Sequence, residues 1–350
     1  MSHLNAINLL NNLQGFVVPK DRTVERDREH RVEKKAVGPK LKKAWDLAQK
    51  QKALECDNPH FQFRFYNSFQ APRSCHAQSL QVGKYQVGVC HAQGGRPTQE
   101  DQHLSTSFSL RLPGGKVYPV ELFGIFDGHG GSEAALYMTK YLQVELTRML
   151  QQFHPDGNLT DQGIWNALKL TFVHLSDRFK KLDPNSGTTA TVVLMLDGTL
   201  WTANVGDSRT ILVDSSSGTA QLSEDAKPSD PRYQKGIEKR GGVIDFNQIP
   251  PRINGSLAVA RAIGDANVGP GVSSRPKITK MLLSQIHSGS HLVLTCDGIY
   301  DVASTRQVGR AVRVQGALKK NPLSIARDLV FSAYRAGSED NLSALVVCIP

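Results

Sequence analysis

The sequence predicts an α+β layered sandwich, and three observations predict it. Short apolar segments rich in β-branched residues recur from Lys84 to the C-terminus, helical periodicities lie between them, and Asp197-Gly198 separates two of the apolar segments as a hairpin turn would. The expected strands are KYQVGVCHA (84–92), VYPVELFGIF (117–126), TTATVVLML (188–196), LWTANVG (200–206), RTILVDS (209–215), HLVLTCDG (291–298) and LSALVVCI (342–349). Several run apolar without alternation, the pattern of sheets covered on both faces. The expected helices are 132–150 with Ser132 as N-cap, 163–182, and 322–337 closed by Gly337. Antiparallel sheets can bury both faces only if helices cover their outer sides, which makes the layers.

Residues 1–80 read differently and form a basic, partly helical extension to a body at 81–350. GPKLKKAWDLAQKQKALE starts on Pro39, which suits a first helical turn, and places Leu41, Trp45 and Ala48 on one face. Such a helix either binds a partner or packs on the body by its apolar stripe. The net charge of +10 belongs mostly to this extension, which holds 14 Lys+Arg against 8 Asp+Glu and leaves 28 against 24 for the rest. A body so nearly balanced, without interleaved aromatic and basic residues, argues against nucleic acid as the partner.

No window approaches the roughly 18 apolar residues of a membrane span, and the start of the chain lacks the pattern of a signal peptide. The five cysteines are odd in number and contain no C-x-x-C pair, which fits reduced thiols and a cytoplasmic location. The echo of SCHAQ at Cys75 and VCHAQ at Cys90 invites a Cys/His metal site, but zinc spacing is not met and coincidence is the better reading.

Carboxylates at strand boundaries carry the chemistry. Asp127 ends an apolar run in LFGIFDGHGG, Asp297 ends another in LVLTCDG, and Asp207 a third in LWTANVGDSR; Asp340 precedes the final strand, and Glu100 and Asp101 follow the first. One such residue is a turn former. Five boundaries with carboxylates, if they converge, make a concentrated negative site that needs cations. Oxygen-only donors suit hard divalent ions, Mg²⁺ or Mn²⁺, and two such ions about 3.5–4 Å apart can turn a shared water into hydroxide. No G-x-S-x-G elbow or C-x5-R cysteine site offers a protein nucleophile instead.

In order along the chain stand RPTQED (96–101), FDGHGG (126–131), GTTA (187–190), ANVGDSR (203–209), RINGSLAVARAIGD (252–265), CDGIYDV (296–302) and GSEDN (337–341). This series resembles the signature motifs of the metal-dependent type 2C protein serine/threonine phosphatases and spans nearly all of 84–350. The resemblance implies a central sandwich of two antiparallel β-sheets flanked by helix pairs, and hydrolysis of phosphoserine and phosphothreonine monoesters by a hydroxide bridging two Mg or Mn ions. It implies that Asp127 bridges the metals and that the Gly128 carbonyl ligates one. Asp297 and Asp340 would hold the first metal, Glu100 would help to hold the second, and Asp101 would sit in the surrounding water network. Asp207 and Asp301 match a weaker third metal position. Arg96 would grip the substrate phosphate and His129 would protonate the leaving alkoxide.

Four departures stand out. Ala226 precedes Lys-Pro where the family often has histidine, Ala260 stands in LAVAR where serine is common, Cys296 replaces the serine before Asp-Gly, and Gln99 stands where Met or Asn is usual. None removes a carboxylate, Arg96 or His129, so they bear on substrate preference. A pseudophosphatase that keeps the fold as a binding module is the alternative, and its usual sign, loss of metal ligands, is lacking.

Overall fold

The computed structural model describes residues 57–58, 60–61, 72–216 and 218–350. The helix expected around Leu41 and Trp45 lies outside them. Two antiparallel sheets form the centre. The first runs β1 (His76–Val82), β2 (Tyr85–Ala92), β16 (Leu342–Cys348), β15 (His291–Thr295), β9 (Arg209–Asp214) and β10 (Gly218–Gln221). The second runs β14 (Lys277–Leu282), β8 (Thr199–Val205), β7 (Ala190–Leu196), β4 (Val117–Phe126) and β3 (Gln102–Arg111). Short strands β5 (Gly128–His129), β6 (Gly187–Thr188) and β13 (Ile263–Gly264) form a small third sheet, and β11 (Ile244–Asp245) pairs with β12 (Arg252–Ile253).

Three apolar layers hold the sandwich together. Val87, Val89, Phe123, Ile125, Val193, Leu292, Leu294 and Leu345 meet between the sheets. On the outer side of the second sheet, α1 (Glu133–Phe153) and α2 (Asp161–Phe179) bury Met138, Leu142, Leu146, Leu168 and Phe172. On the outer side of the first, Val308 and Val312 of α5 (Thr305–Ala317) and Ile325 and Leu329 of α6 (Pro322–Arg335) are buried. Every residue of β7 and of β15 is buried, as unalternated apolar runs require. A smaller cluster around Tyr233, Ile237 and Leu257 carries α3 (Pro231–Lys239) beside the sandwich, and α4 (Asp297–Tyr300) follows β15.

The hairpin at Asp197-Gly198 has φ of +49° and +71° at its two turn residues, the twist that a two-residue connection needs. Gly337 closes α6 with φ +91°, and its N–H donates to the Tyr334 carbonyl. Two helix starts differ from expectation. Ser132 precedes α1 in a helical conformation and its side chain makes no cap. The second helix begins at Asp161, two residues early, because Thr160 accepts from the Gly163 N–H.

Four strands of the two main sheets, β1, β3, β10 and β14, the two-residue strands β5, β11, β12 and β13, and the helices α3, α4 and α5 were not expected. The four strands of the main sheets are edges with polar exposed residues, so no apolar run marks them. Residue 81 falls inside β1, and ordered contacts extend further toward the N-terminus. Phe61 is buried in the layer under α5 and α6, and Asn58 donates to the Val302 carbonyl and exchanges hydrogen bonds with Gln307. The Cys/His echo also has a physical explanation: in β1 and β2 neighbouring residues point to opposite faces, so Cys90 enters the helix-side core while His91 stacks edge-on with His76 and His103.

Candidate active site

The ends of β4 and β15 bring Asp127 and Asp297 together with the loops that follow β2 and precede β16. Asp127 is fixed through its backbone: its carbonyl accepts from the Thr189 N–H at 2.9 Å and the Thr188 hydroxyl at 3.0 Å, and its N–H donates to Thr189 Oγ1. Gly128 follows because a Cβ there would stand 2.4 Å from the Glu100 carbonyl oxygen, and Gly298 follows Asp297 because a Cβ there would stand 2.3 Å from the Asn341 carbonyl oxygen. Both Asp-Gly pairs therefore mark a close approach of two backbones.

A cavity of about 540 Å³ is lined by Arg96, Glu100, Asp127, Gly128, His129, Asp207, Asp297 and Asp340, eight of the ten expected site residues. Asp101 is fully buried and accepts from the Ser343 hydroxyl at 2.6 Å. Asp301 lines a neighbouring cavity of about 580 Å³ that shares Asp207 and Asp297 with the first. One carboxylate oxygen each of Asp297, Asp301 and Asp340 lies within 4.8 Å of the others.

Burial and mutual repulsion dominate the electrostatics. Burial, then the charges of Asp101, Asp297, Asp207 and Asp340, holds the Asp127 carboxyl well above the usual carboxylate range. Burial and the Asp207 and Asp301 charges do the same to Asp297, against the pull of Lys227. Burial pushes Asp101 up to about 7, although the Ser343 hydroxyl favours its ionised form, and burial raises Asp301 to about 6. Asp101 Oδ1 is buried without a hydrogen-bond partner. An all-oxygen donor set with surplus negative charge and an orphaned carboxylate oxygen fits a hard divalent cation.

Three cations answer individual acids. Arg96 Nη2 sits 2.8 Å from Asp340 Oδ2, with the arginine side chain 58% exposed. Lys227 Nζ lies 2.5 Å from Asp207 Oδ2. His129 Nε2 faces both oxygens of the buried Asp265 at 2.8 and 3.0 Å. Burial opposes a charged imidazole at His129, yet the hydrogen bond and charge of Asp265, with Asp207 and Glu100, outweigh it and raise its pKa. Glu100 accepts from the Gly131 N–H and the Thr98 hydroxyl.

The expected residues omitted three of these supports. Asp265 orients His129, Lys227 neutralises Asp207, and Asn341 stitches the loop after β2 by donating to the Gln93 and Thr98 carbonyls and accepting from the Glu100 N–H. Asp265 and Asn341 stand inside motifs that were visible in the sequence, at the ends of RAIGD and GSEDN, but their partners are distant in the chain.

The family model described as "Protein phosphatase 2C" matches residues 85–342. The chain belongs to the protein phosphatase 2C family. It is 34% identical to "Probable protein phosphatase 2C member 13, mitochondrial" of Oryza sativa subsp. japonica over 269 residues, covering 76% of this chain and 68% of that protein. It is also 34% identical to "Protein phosphatase 2C homolog 2" of Schizosaccharomyces pombe, over 74% of this chain and 72% of the relative. A solved Toxoplasma gondii phosphatase superposes with a TM-score of 0.64 at 22% identity, covering 78% of this chain and 95% of that one, and shares the fold. Family membership carries the enzyme class: this type 2C protein is a protein serine/threonine phosphatase, a hydrolase whose dephosphorylation is metal-dependent.

Proposed function

We propose that this type 2C phosphatase hydrolyses phosphoserine and phosphothreonine monoesters of proteins in the cavity between Arg96, His129 and Asp127. The observation that carries the reading is the convergence of acids that repel one another around a cavity lined by the exposed Arg96 guanidinium and by the half-buried His129 imidazole, itself paired with the buried Asp265 carboxylate. Asp127 would help to hold both of two Mg²⁺ or Mn²⁺ ions and the Gly128 carbonyl one of them, with Asp297 and Asp340 at the first, Glu100 at the second, Asp101 in the surrounding water network, and Asp207 and Asp301 at a weaker third site. When bound, such ions neutralise the carboxylates, acidify water and offset phosphate charge.

Arg96 binds the phosphate through charge-assisted hydrogen bonds that its planar fork can make in pairs. Its present contact with Asp340 is exposed, and such pairs are worth only about 0–1 kcal/mol, so a phosphate dianion can compete for it. The hydrogen bond and charge of Asp265 favour the protonated imidazole of His129, which delivers a proton to the departing serine or threonine oxygen. Asp265 also fixes the ring by taking the Nε2–H, which leaves the Nδ1–H of the imidazolium as the proton to be transferred.

The assay is phosphate release from a phosphothreonine peptide with and without added Mg²⁺ or Mn²⁺. Turnover that requires the ion supports the reading. A protein that binds the phosphopeptide with no release at any metal concentration would be the pseudophosphatase-type module instead. The cytoplasmic location proposed from the thiols is independent of this assay; among the described residues no helix is long and apolar enough to cross a membrane. A partner for the N-terminal extension is likewise a proposal, tested by comparing substrate preference with and without residues 1–56.

A further inference from the structure

Cys75 and Cys90 are 15 residues apart, yet their Sγ atoms lie 3.7 Å from one another. The register sets this meeting. His76 opposes His91 and Ala77 opposes Cys90, so Cys75, one residue before β1, reaches Cys90 diagonally across the ladder on the face that packs against α6. Cys90 is fully buried in the middle of β2, whereas Cys75 is partly exposed at the end of an edge strand. One thiol is thus accessible and the other held ready behind it.

We propose that Cys75 and Cys90 are a peroxide-responsive dithiol whose disulfide displaces the end of β1 and, through Gln93, the loop that carries Arg96. The accessible Cys75 thiolate attacks hydrogen peroxide, breaking the O–O bond to give a sulfenic acid and hydroxide. The Cys90 sulfur then displaces the sulfenic oxygen, which leaves as water with the Cys90 proton, and the S–S bond forms. The two thiols lose two electrons and the peroxide takes them. The neighbouring thiol's hydrogen bond and the Arg327 charge, against the opposing effect of burial, hold the Cys75 thiol below its ordinary value, while the same hydrogen bond and burial push Cys90 up.

The bond cannot form without movement. A disulfide needs sulfurs about 2.05 Å apart and Cβ atoms about 3.5–4.5 Å apart, closer than a diagonal ladder pair ordinarily stands. Cys90 is locked inside the sheet, so Cys75 must give way. Its neighbours are already committed: Ser74 holds a left-handed φ of +48°, the Arg73 carbonyl accepts from the Gln93 N–H at 3.0 Å, and Ser74 Oγ donates to Gln93 Oε1. Gln93 in turn donates through Nε2 to the carbonyls of Arg96 and Pro97 at 2.8 and 2.7 Å. Displacing residues 73–75 therefore loosens the clamp on the Arg96 backbone. The link to activity rests on the phosphate-binding role proposed for Arg96; the bond itself does not.

The test uses the full chain in Mg²⁺, treated with a small excess of hydrogen peroxide, then mapped by proteolysis and mass spectrometry without reduction. The expected result is a Cys75–Cys90 cross-linked peptide, with KM for a phosphothreonine peptide raised several-fold and restored by dithiothreitol. Cys75→Ser and Cys75→Ala, checked for unchanged melting temperature, should keep the reduced KM and lose the response. Cys75 recovered as sulfinic acid, or linked to Cys56 instead of Cys90, overturns the dithiol. A mapped Cys75–Cys90 bond with unchanged KM overturns the coupling. If Arg96→Ala also leaves KM unchanged in the reduced enzyme, the failure lies with the phosphate role of Arg96, while the bond stands.

Discussion

Two sets of acids line the same cavity and differ in what answers them. Asp207 and Asp265 each face a cation of the chain, Lys227 at 2.5 Å and His129 at 2.8 Å. Asp127 and Asp297 make no ion pair among the described residues, and each is pushed well above the carboxylate range by burial and by the other acids. A buried charge is tolerated only when paired. The first set is therefore answered by the chain's own cations, and Asp265 serves to position His129. The second has no such partner, so its mutual repulsion opposes folding of the metal-free chain, and under the proposed assignment a divalent ion would complete it.

The sharpest way to break this contrast is to remove an unpaired acid. Asp127→Ala or Asp297→Ala should lower turnover by at least about 10³, the upper range for losing one electrostatic group at a reacting centre, while the metal-free protein melts at a higher temperature because repulsion is relieved. Circular dichroism melts beside a phosphate-release assay read both. A variant that turned over normally in saturating Mn²⁺ would sink the metal assignment.

Removing a paired partner should act on the proton instead. His129→Ala should slow a phosphoserine peptide by about 10²–10⁴, the usual worth of general acid catalysis, and slow para-nitrophenyl phosphate far less, since nitrophenolate leaves without a proton. Equal losses on the two substrates would make His129 a binding residue.

Arg96→Ala should raise KM by about 10-fold to 100-fold, from the roughly 1.5–3 kcal/mol of a charge-assisted hydrogen bond. Arg96→Lys should recover only part of it, for lack of the fork. Full recovery by lysine would reduce the role to charge attraction.

The smallest effect is on the pH dependence of metal-free stability. Asp101 at about 7 and Asp301 at about 6 lie above the unfolded value of about 4. Raised carboxyl pKa values cost stability in full above pH 7, and the cost is relieved as pH falls through 7 and 6 toward the unfolded value. The metal-free melting temperature should therefore rise by a few degrees between pH 8 and pH 5. Saturating Mn²⁺ should reverse the trend, because protons then compete with the ion. A metal-free melting temperature that fell over this range would refute the claim that these acids are uncompensated.

Legibility divides along a physical line. Asp127, Asp207 and Asp297 were readable as candidate site residues because an apolar run that stops at a carboxylate marks the end of a buried strand, and the seven ordered motifs pointed to the family. The central strands were readable for the same reason. Edge strands β1, β3, β10 and β14 were not, since polar residues that meet water interrupt any apolar run in each. Ser132 looked like a cap by composition, yet capping depends on a backbone conformation it does not adopt.

Sequence alone determined which residue types stand at the strand ends, because burial pattern and turn chemistry are local. Only the tertiary structure decided which groups meet. His129 finds Asp265 across 136 positions, Arg96 finds Asp340 across 244, and Cys75 lies against Cys90 because of a diagonal in the ladder. Pairing, and with it each group's charge state, arises from sheet register and from backbones that approach closely at Gly128 and Gly298, distances that no linear spacing encodes.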